Sequence, residues 1–355
     1  MEQELKKYRE KLSSFITKYL DEKEKDFLQV NEWGVDSIRR LREYSLNGKL
    51  VRGCLIIMSN NMFSKYDEEN ELNALKAAAA IELIHSALLI HDDIMDRDDI
   101  RRGHPAIHYQ YQTLAIQNDF HNPRHFGLSM GICVGDISLF LAMGLISSIV
   151  TDEKMKVEVE KVFFDTICKV GLAQMQDVNF EYLKNDVSET EILSVYRYKT
   201  ARYTFSLPLM IGALLSGCSM NIVQKLGVIG EDMGIVFQIK DDELGIFADE
   251  KDFGKSIGID IRDNKKTIYR HYLMSESQES ELHILDKIFG NQEITDADVQ
   301  LVRDMIVDKG IRDEVIHKIQ SLESNSRKLI DELDISLESR KILLSILYYN
   351  VNRKK

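Results

Sequence analysis

The sequence is poor in residues that interrupt helices, with only three prolines among 355 residues. Proline lacks an amide hydrogen and clashes with the preceding helical turn, so long helices are permitted almost everywhere. The sequence also lacks any useful run in which polar and apolar residues alternate, which argues against β-strands. Apolar residues instead recur at helical spacing, for example over residues 71–95 and 221–242. We therefore predict an all-α fold, with residues 1–355 forming one large helical domain.

Cysteines are also few and widely separated: Cys54, Cys133, Cys168 and Cys218. Because there is no Cys-x-x-Cys pair and no disulfide-dense pattern, we expect buried thiols in a reducing compartment, with Cys133 a small core residue. The N-terminus is charged and helical in character, unlike a signal peptide. The longest apolar run, residues 137–150, is too short to span a bilayer. These features predict a cytoplasmic protein without a membrane span.

Positive charge is in deficit as well. Lysine and arginine together number 46 against 58 aspartates and glutamates, which gives a formal net charge of −12. This balance argues against nucleic acid or an anionic membrane surface as the main partner. Any basic residues that bind an anionic ligand must therefore be concentrated locally.

An aspartate cluster stands at the end of a long apolar, helix-like segment. Five of the eight residues from Asp92 to Asp99 are aspartates, and Arg101 and Arg102 follow them. Two like charges about 4 Å apart repel by ~4 kcal/mol at a protein-like dielectric, so such a cluster is either fully solvated or binds cations. Asp92 and Asp96 are one helical turn apart and face the same way. Carboxylate oxygens at this spacing suit Mg²⁺, which leaves room for phosphate oxygens in its coordination shell.

A second apolar segment also ends in a pair of aspartates, Asp241 and Asp242, which could supply a metal ligand from a facing helix. For either cluster alone, a solvated helix end is an equally good interpretation. Two such ends, each followed by a basic, glycine-containing loop, favour a metal site. Basic residues lie beside breaks and helix ends in small sets: Lys49 with Arg52, Arg101 with Arg102, Lys199, Lys255, and Lys265 with Lys266. Arginine and lysine both bind phosphate oxygens, so the pattern indicates a diphosphate site, while the absence of a Walker-type loop disfavours nucleotide.

A series of short motifs runs in a fixed order between Gly48 and Thr267. They are Gly-Lys-Leu-Val-Arg-Gly at 48–53, Glu-x-x-His at 82–85, His-Asp-Asp-Ile-Met-Asp at 91–96, Arg-Arg-Gly at 101–103, Gly-Asp at 135–136, Gln-Met-Gln-Asp at 174–177, Lys-Thr-Ala at 199–201, Phe-Gln-x-x-Asp-Asp at 237–242, and Gly-Lys-x-x-Gly-x-Asp-x-x-x-x-Lys-x-Thr at 254–267. Together they resemble the polyprenyl synthetase family of trans-isoprenyl diphosphate synthases. The resemblance implies a homodimer of isoprenoid-synthase helical bundles, each with a central substrate cavity. It also implies head-to-tail (1'-4) condensation of isopentenyl diphosphate with dimethylallyl, geranyl or farnesyl diphosphate.

The resemblance assigns roles to the matching positions. The metal ligands that it implies, for three Mg²⁺ per active site, are Asp92, Asp93, Asp96, Asp241 and Asp242, with Asp93 supporting its neighbours and Asp177 supporting metal-bound water. The substrate-binding residues are Lys49, Arg52, His85, Arg101, Arg102, Lys255 and Lys265. The residues expected to line the place where the allylic cation forms are Lys199, Thr200 and Gln238. Metal ions and basic side chains would neutralise the departing diphosphate, and the diphosphate itself would take the proton, so no dedicated general base is required.

Product length is predicted from the residues that precede Asp92. Farnesyl synthases of this family usually carry aromatics four or five residues before the first aspartate, where this chain has Leu88 and Ala87. Ile84 lies a further turn back, about 12 Å from Asp92 along the helix. We therefore expect a product of twenty carbons or more, with geranylgeranyl diphosphate favoured over farnesyl or longer polyprenyl diphosphates.

The chain departs from the family pattern at a few positions. Gly245 stands where the second motif usually ends in aspartate, and Gly53 stands where the first motif often has proline. The aspartate missing at position 245 is usually the least direct metal contact of its motif, and some relatives that lack it resemble active geranylgeranyl synthases. The change at Gly53 removes neither Lys49 nor Arg52. The terminal residues 353–355 are basic; we expect a frayed tail, the alternative being a tail that closes over the diphosphate, as it does in relatives.

Other classes of protein fit the motifs less well. A terpene cyclase should carry an asparagine, serine and glutamate metal motif where Asp241 and Asp242 stand. A non-catalytic subunit of a heteromeric synthase is expected to lose the first aspartates or the arginine pair, and this chain retains both. A helical scaffold without activity leaves the ordered motifs unexplained.

Overall fold

The computed structural model describes residues 2–64, 67–183, 185–247 and 258–353 and is almost entirely helical. The helices are α1 (Glu2–Phe27), α2 (Glu32–Leu46), α3 (Val51–Phe63), α4 (Glu68–Met95), α5 (Ile107–Gln117), α6 (Pro123–Ser147), α7 (Glu153–Tyr182), α8 (Glu189–Val195), a π-helix (Tyr196–Ser206), α9 (Leu207–Leu215), α10 (Met220–Phe247), α11 (Ile259–Arg262), α12 (Ile268–Ser275), α13 (Glu279–Ile288), α14 (Asp296–Asp308), α15 (Ile311–Asp331) and α16 (Leu337–Val351). The prediction of an all-α fold is confirmed.

Two compact units make up the chain. The first comprises residues 1–160 and 211–218, and the second comprises residues 161–210 and 219–355. The single domain expected over residues 1–355 stays a prediction.

In the first unit, α4 is the central helix, because apolar side chains on most of its faces are buried. The alanines at 77–80 are fully buried, so neighbouring helices approach closely. On α6, Ser138 Oγ donates a hydrogen bond to the carbonyl of Leu83 at 2.8 Å. One turn nearer the start of α6, a Cβ on Gly135 would lie only 2.2 Å from Nε2 of His91, so a larger residue there would displace the His91 ring. These contacts hold the aspartate-bearing end of α4 against α6.

In the second unit, α10 packs against the π-helix through glycines. A Cβ on Gly234 would lie 2.3 Å from Cα of Ala201, and one on Gly230 would lie 2.6 Å from Cα of Ser206. The two backbones are therefore in direct contact, which brings residues 199–200 beside α10. The sequence predicts two ordinary helices over residues 189–215; instead, a π-helix joins α8 to α9. Such segments are rare and often occur at functional sites.

The segment after the aspartates differs from the prediction. The sequence predicts no strands, but Ile100–Arg101 and His104–Pro105 form a small antiparallel ribbon. Arg102 and Gly103 connect the strands with φ angles of 54° and 76°. A two-residue connection with both φ angles positive matches the right-handed twist of paired strands. This local turn chemistry, carried by a single glycine, explains why no strand pattern is visible in the sequence.

The thiols are only partly as expected. Cys54 is buried, but Cys133 and Cys168 are exposed, so the expectation that Cys133 is a core residue is wrong. Its apolar neighbours do not bury it, because this face of α6 points away from the unit: Ile132 is 48 % exposed and Phe140 is 71 % exposed.

Two helices, α4 and α6, are long and apolar enough to cross a membrane by length and composition. Within the protein, 72 % of the apolar window of α4 and 44 % of that of α6 are buried. Core helices pass the same test, so this is weak evidence for a membrane span, and its predicted absence stays a prediction.

Candidate active site

The first aspartate cluster lies at the C-terminal end of α4. The amide of Asp96 caps the helix by donating to the carbonyl of Asp92 at 2.8 Å. The side chain of Asp92 is partly exposed and that of Asp96 is exposed. Both carboxylates are therefore accessible to a cation and a phosphorylated substrate, as the sequence predicts.

Asp93 has a different environment, because its side chain is completely buried. It accepts a hydrogen bond from the hydroxyl of Tyr44 at 2.8 Å and forms an ion pair with Arg101. Burial raises the pKa of Asp93 above its ordinary value, although Arg101 and Tyr44 act in the opposite direction. This geometry places Asp93 to orient Arg101, which agrees with the supporting role expected for it; direct metal binding by Asp93 stays a prediction.

The β-ribbon explains how two consecutive arginines reach different partners. Arg101 lies on the first strand and turns back to Asp93, with Asp98 a further partner at 3.2 Å. Asp98 is thus an ion-pair partner of a predicted substrate-binding residue. Arg102 lies in the turn and approaches the loop before α3, where a Cβ on Gly48 would meet its Nη1 at 2.8 Å.

A cavity of about 320 Å³ lies beside the end of α2, the β-ribbon and α5. It is lined by Glu43, Tyr44, Asn47, Arg101, Arg102, His104, Pro105 and Gln110. Two arginines at one cavity provide planar donors for an anion such as a diphosphate. The predicted substrate-binding residues Arg101 and Arg102 are therefore brought together in the first unit.

The start of α3 carries the other predicted diphosphate ligands of this unit. Lys49 is exposed, and Arg52 lies on the first turn of the helix. Burial, together with the positive charges of Arg52, Arg102 and Arg101, lowers the pKa of His85 well below its ordinary value. The structure thus brings His85 into the field of three of the predicted substrate-binding arginines, and the imidazole is neutral at pH 7.

Gly53 is fixed by a contact that proline could not make. Its amide donates to Oε1 of the buried Glu82 at 2.7 Å. A Cβ on Gly53 would lie 2.4 Å from Cδ2 of Leu12 and 2.8 Å from the carbonyl oxygen of Ala78. The departure from the family's proline therefore matches a position that needs both an amide hydrogen and no side chain.

In the second unit, two of the three predicted cation-lining residues, Thr200 and Gln238, belong to one hydrogen-bonded chain. Thr200 Oγ1 donates to Oε1 of Gln238 at 2.9 Å, and Nε2 of Gln238 donates to Oδ1 of Asp242 at 2.9 Å. The hydroxyl of Tyr196 donates to the other oxygen of Asp242 and accepts from the amide of Ile268 at 2.9 Å. Tyr196 was not anticipated because it belongs to none of the motifs, although it lies three residues before Lys199.

Asp242 is buried within this chain. Burial raises its pKa well above the ordinary value, and the neighbouring charges of Asp260 and Asp241 add to the effect. The carboxylate of Asp242 thus accepts hydrogen bonds from Gln238 and Tyr196. Asp241 is the more accessible of the two aspartates, with 41 % of its side chain exposed. Both remain predicted metal ligands, with Asp241 the better placed.

Two of the predicted lysines, Lys199 and Lys265, have acidic partners. Lys199 forms an ion pair with Asp177, which places the two predicted residues together. Lys265 lies 3.4 Å from Oδ1 of Asp260, and its side chain is 50 % exposed. Lys255 lies outside the residues that the structure describes.

Arg353, two residues before the end of the chain, lies against α10, contrary to the expectation of a frayed tail. It lies 3.0 Å from Asp241 and 4.2 Å from the ring centroid of Phe237, and only 12 % of its side chain is exposed. Ion pairing and stacking on an aromatic ring hold it there. Lys354 and Lys355 lie outside the described residues.

The donor set fits Mg²⁺ bound together with a diphosphate. Among the described residues, no group of three or more histidine, cysteine or acidic side chains is close enough to hold a metal ion by itself. Mg²⁺ does not require one, because it commonly takes one or two carboxylates and completes its shell with water and substrate phosphate oxygens. Asp92 with Asp96, and Asp241, provide accessible carboxylates of that kind.

The predicted product-length residues lie on two faces of α4. Leu88 precedes Asp92 by one turn and is half-buried on the same face. Ala87 is fully buried and lies between Leu83 and His91, both of which contact α6. Ile84 is buried as well. Leu88 is therefore the residue best placed beside a chain that grows away from Asp92.

Among the described residues, the C-terminal parts of α4 and α10 carry accessible aspartates, and lysines and arginines lie nearby in each unit. These features suit an enzyme of the class that acts on diphosphate substrates together with Mg²⁺. Residues 35–306 match the family model for polyprenyl synthetase, and the chain belongs to that family. The resemblance found in the motifs is thereby confirmed.

Relatives support the assignment along most of the chain. Geranylgeranyl diphosphate synthase from Sulfolobus acidocaldarius is 33 % identical over 265 residues, which is 74 % of each protein. Geranylfarnesyl diphosphate synthase from Aeropyrum pernix is 29 % identical and spans 87 % of this chain and 91 % of its own length. A crystal structure of geranylgeranyl pyrophosphate synthase from Corynebacterium glutamicum, complexed with isoprenyl diphosphate and magnesium, has a TM-score of 0.89, 29 % identity and 99 % coverage of both chains.

These findings confirm the predicted activity class. The chain is a prenyltransferase of the trans-isoprenyl diphosphate synthase type, its substrates are isoprenyl diphosphates, and its family depends on Mg²⁺.

Proposed function

We propose that this prenyltransferase condenses isopentenyl diphosphate with allylic diphosphates up to farnesyl diphosphate and releases geranylgeranyl diphosphate. The observation that carries the proposal is the absence of an aromatic side chain at Ala87 and Leu88, beside the half-buried face of α4 that precedes Asp92. A fifteen-carbon product needs a bulky barrier near that point. The relatives named as geranylgeranyl diphosphate synthases support the same product.

The proposed metal ligands are Asp92, Asp96 and Asp241, for three Mg²⁺ per active site. Bound Mg²⁺ supplies charge neutralisation for the departing diphosphate. Arg101, held by Asp93, would bind the allylic diphosphate, and Lys199, held by Asp177, would bind it as well. Fixed partners reduce the reorganisation that each cation undergoes when the carbon–oxygen bond breaks.

Two further steps are assigned to the chain's own residues. Arg102, Arg52 and Lys49 would hold isopentenyl diphosphate, and neutral His85 would add a donor without adding another charge. Thr200 and Gln238, whose hydrogen bonds are directed along the chain to Asp242, would present oxygen dipoles to the allylic cation. The proton lost from the condensed product would leave with the diphosphate.

One assay tests the function. The purified chain is incubated with Mg²⁺, isopentenyl diphosphate and each of dimethylallyl, geranyl and farnesyl diphosphate, and the dephosphorylated products are resolved by chromatography. A twenty-carbon alcohol from all three primers is expected. Condensation that stops at fifteen carbons, or continues well past twenty, would overturn the product assignment. No condensation with any primer would overturn the enzyme assignment.

We also propose that the enzyme is a cytoplasmic homodimer. The support is the outward face of α6, where Ile132, Phe140 and Met143 are 48 %, 71 % and 42 % exposed. Such a cluster on one helix face is a usual dimer contact, because burying it against a second copy removes apolar surface from water. Sedimentation equilibrium of the wild type should give twice the chain mass, and Phe140→Lys should shift the equilibrium toward monomer. A monomeric wild type would contradict the proposal.

A further inference from the structure

Tyr196 is a buried polar residue of the second unit that belongs to none of the sequence motifs. It is the first residue of the π-helix, three positions before Lys199, and only 6 % of it is exposed. A buried hydroxyl costs free energy unless it forms hydrogen bonds, so its partners show what it holds in place. Among the described residues, the Tyr196 hydroxyl has two partners, and they lie on two different helices.

The hydroxyl of Tyr196 joins the start of α12 to α10. The backbone amide of Ile268, the first residue of α12, can only donate, and it donates to the hydroxyl oxygen at 2.9 Å. The hydroxyl hydrogen is therefore directed to its second partner, Oδ2 of Asp242 on α10. Because both bonds meet at one oxygen atom, the ring cannot turn toward one partner without losing the other. Tyr196 thus fixes the position of one carboxylate oxygen of Asp242.

The other oxygen of Asp242 determines the orientation of the Gln238 amide. Gln238 precedes Asp242 by one turn of α10, so the two side chains share a face of the helix. A glutamine amide can exchange the places of its nitrogen and oxygen by rotation, and its partners decide between the two orientations. A carboxylate only accepts, so Nε2 of Gln238 faces Asp242 at 2.9 Å. Oε1 then faces Thr200, whose hydroxyl donates to it at 2.9 Å.

The orientation of this amide sets the sign of the dipoles around it. In the observed orientation, the hydroxyl hydrogen of Thr200 is used in the bond to Gln238, and the hydroxyl presents its lone pairs to other groups. In the reverse orientation, Nε2 would donate to Thr200, and the hydroxyl hydrogen would point outward instead. Oxygen lone pairs stabilise a developing positive charge, whereas a hydrogen directed at that charge destabilises it. Only the observed orientation suits two residues that line the place of an allylic cation.

We propose that Tyr196 is a positioning residue of the reaction: by holding Asp242, it fixes the Gln238 amide in the orientation in which Thr200 and Gln238 present oxygen to the allylic cation. The inference rests on the proposed function, because it takes these two residues to line the place where the cation forms. Tyr196 acts through Asp242 and not on the substrate, since Ile268 and Asp242 use its hydroxyl. Its effect therefore falls on the breaking of the carbon–oxygen bond rather than on the binding of the diphosphate.

The test separates the chemical step from binding. Condensation is followed in a single turnover, with the full chain in excess over farnesyl diphosphate and with saturating isopentenyl diphosphate and Mg²⁺. The variants are Tyr196→Phe, which keeps the ring and removes the hydroxyl, Gln238→Met, which removes the amide, and the double variant. Tyr269→Phe is the matched control, since Tyr269 is fully buried and its hydroxyl makes no hydrogen bond among the described residues.

The expected pattern is specific. Gln238→Met should lower the single-turnover rate by about a hundredfold, the usual effect of removing one preorganised dipole. Tyr196→Phe should lower it by about tenfold, while KM for farnesyl diphosphate and the Mg²⁺ concentration for half-maximal activity change by no more than about twofold. The double variant should be no slower than Gln238→Met, because Tyr196 acts through the amide that this substitution has already removed. Tyr269→Phe should match the wild type.

The outcomes distinguish this inference from the function on which it rests. If Gln238→Met is slow and Tyr196→Phe is as fast as the wild type, the role of Tyr196 is refuted while the cation site stands. A double variant slowed by the product of the two single effects would refute it as well, since Tyr196 would then act independently of Gln238. A raised Mg²⁺ requirement in Tyr196→Phe would also refute it, by assigning Tyr196 to the metal site. If Gln238→Met keeps the wild-type rate, the assignment of Gln238 to the allylic cation fails first.

A second variant keeps the test decisive even if Tyr196→Phe does not fold. Asp242→Asn preserves the shape of the side chain but gives it a donor. Because Tyr196 donates to one side of this group, the amide oxygen would lie there and the amide nitrogen would face Gln238, which reverses the Gln238 amide. The single-turnover rate should then fall at least as far as in Gln238→Met. An unchanged rate, or a fall that added Mg²⁺ reverses, would refute the proposal. Circular dichroism and thermal unfolding verify that each variant is folded.

Discussion

Arg353 lies 3.0 Å from a carboxylate oxygen of Asp241, with its guanidinium stacked on Phe237 at 4.2 Å from the ring centroid. The cation therefore pairs with the carboxylate to which Mg²⁺ is proposed to bind. A guanidinium and a metal ion that share one carboxylate compete for it, so Arg353 must give up this contact, at least in part, when the metal binds.

The first prediction concerns this competition. Arg353→Gln removes the charge and should tighten Mg²⁺ binding in the presence of pyrophosphate by about fivefold, since a partly exposed ion pair is worth up to ~1 kcal/mol. Calorimetry and the Mg²⁺ concentration for half-maximal activity should shift together. Arg327→Gln, at an ion pair with Glu323 on α15, is the control. Weaker binding in Arg353→Gln would instead assign Arg353 to the diphosphate.

The second prediction concerns Tyr44, which holds Asp93 and through it Arg101. Tyr44→Phe removes one hydrogen bond to a fully buried carboxylate, which is worth about 1.5–3 kcal/mol when one partner is charged. Because Arg101 is then less firmly oriented, KM for the allylic diphosphate should rise more than tenfold while kcat changes less. Steady-state kinetics with each substrate varied separately measure the split.

A purely structural role for Tyr44 would give a different result, namely a lower melting temperature with unchanged KM for both substrates. Tyr182→Phe serves as the control because Tyr182 is 74 % exposed. It should leave both the kinetics and the melting temperature at wild-type values.

The third prediction follows from the lowered pKa of His85, which burial and the charges of Arg52, Arg102 and Arg101 produce. A bound diphosphate neutralises those arginines and should raise the pKa of His85, so binding at pH 6 should take up protons. Calorimetry with pyrophosphate in two buffers of different ionisation enthalpy measures the uptake. It should vanish in His85→Asn and persist in His121→Asn, where the histidine is exposed.

The same shift sets the sign of a stability change. The unfolded chain has an ordinary histidine pKa of about 6.5, above that of the folded state, so the unfolded state binds more protons below that pH. The contribution of His85 to stability is therefore complete above about pH 6.5 and decreases as the pH falls toward the folded-state pKa. Denaturant unfolding of the wild type and His85→Asn at pH 7.5 and 5.5 should show a larger loss in the wild type.

The fourth prediction concerns Gly53. Gly53→Pro removes the amide that donates to Glu82 at 2.7 Å and puts atoms where Leu12 and Ala78 lie. The free energy of unfolding should fall by about 3 kcal/mol. Gly171→Ala, where a Cβ would meet nothing within 4 Å, is the control and should be neutral or slightly stabilising. An unchanged midpoint in Gly53→Pro would show that the Glu82 contact is dispensable.

The spacing of residues along the sequence predicts only part of the fold and of the site. Three prolines and helical apolar spacing were enough for the all-α fold, and the four-residue spacing of Asp92 and Asp96 on an apolar segment was enough for one pair of predicted ligands. Resemblance supplied the remaining roles. The resemblance assigns roles only to residues at motif positions. It does not identify side chains that other parts of the chain contribute to the site.

The residues that were missed all reach the site by tertiary packing. Tyr44 comes from α2 and Tyr196 from the π-helix, and neither belongs to a motif. Arg353, expected in a frayed tail, likewise reaches Asp241 by packing. Cys133 was misjudged because apolar neighbours indicate burial only when the helix face points inward. Such features depend on which helices pack against each other, and a local sequence pattern does not show this.

The last prediction concerns product length. Leu88→Phe enlarges a half-buried side chain one turn before Asp92 and should shift the product from twenty carbons to fifteen, with little change in melting temperature. Ala87→Phe should shorten the product too. Ala87 is fully buried between Leu83 and His91, which both contact α6. The Ala87→Phe substitution should therefore also lower the free energy of unfolding by about 1–3 kcal/mol through overpacking. Chromatography of dephosphorylated products and thermal unfolding separate the two effects, with the volume-conserving Leu88→Met as control. Unchanged product length in both variants would show that α4 does not form the wall that stops the growing chain.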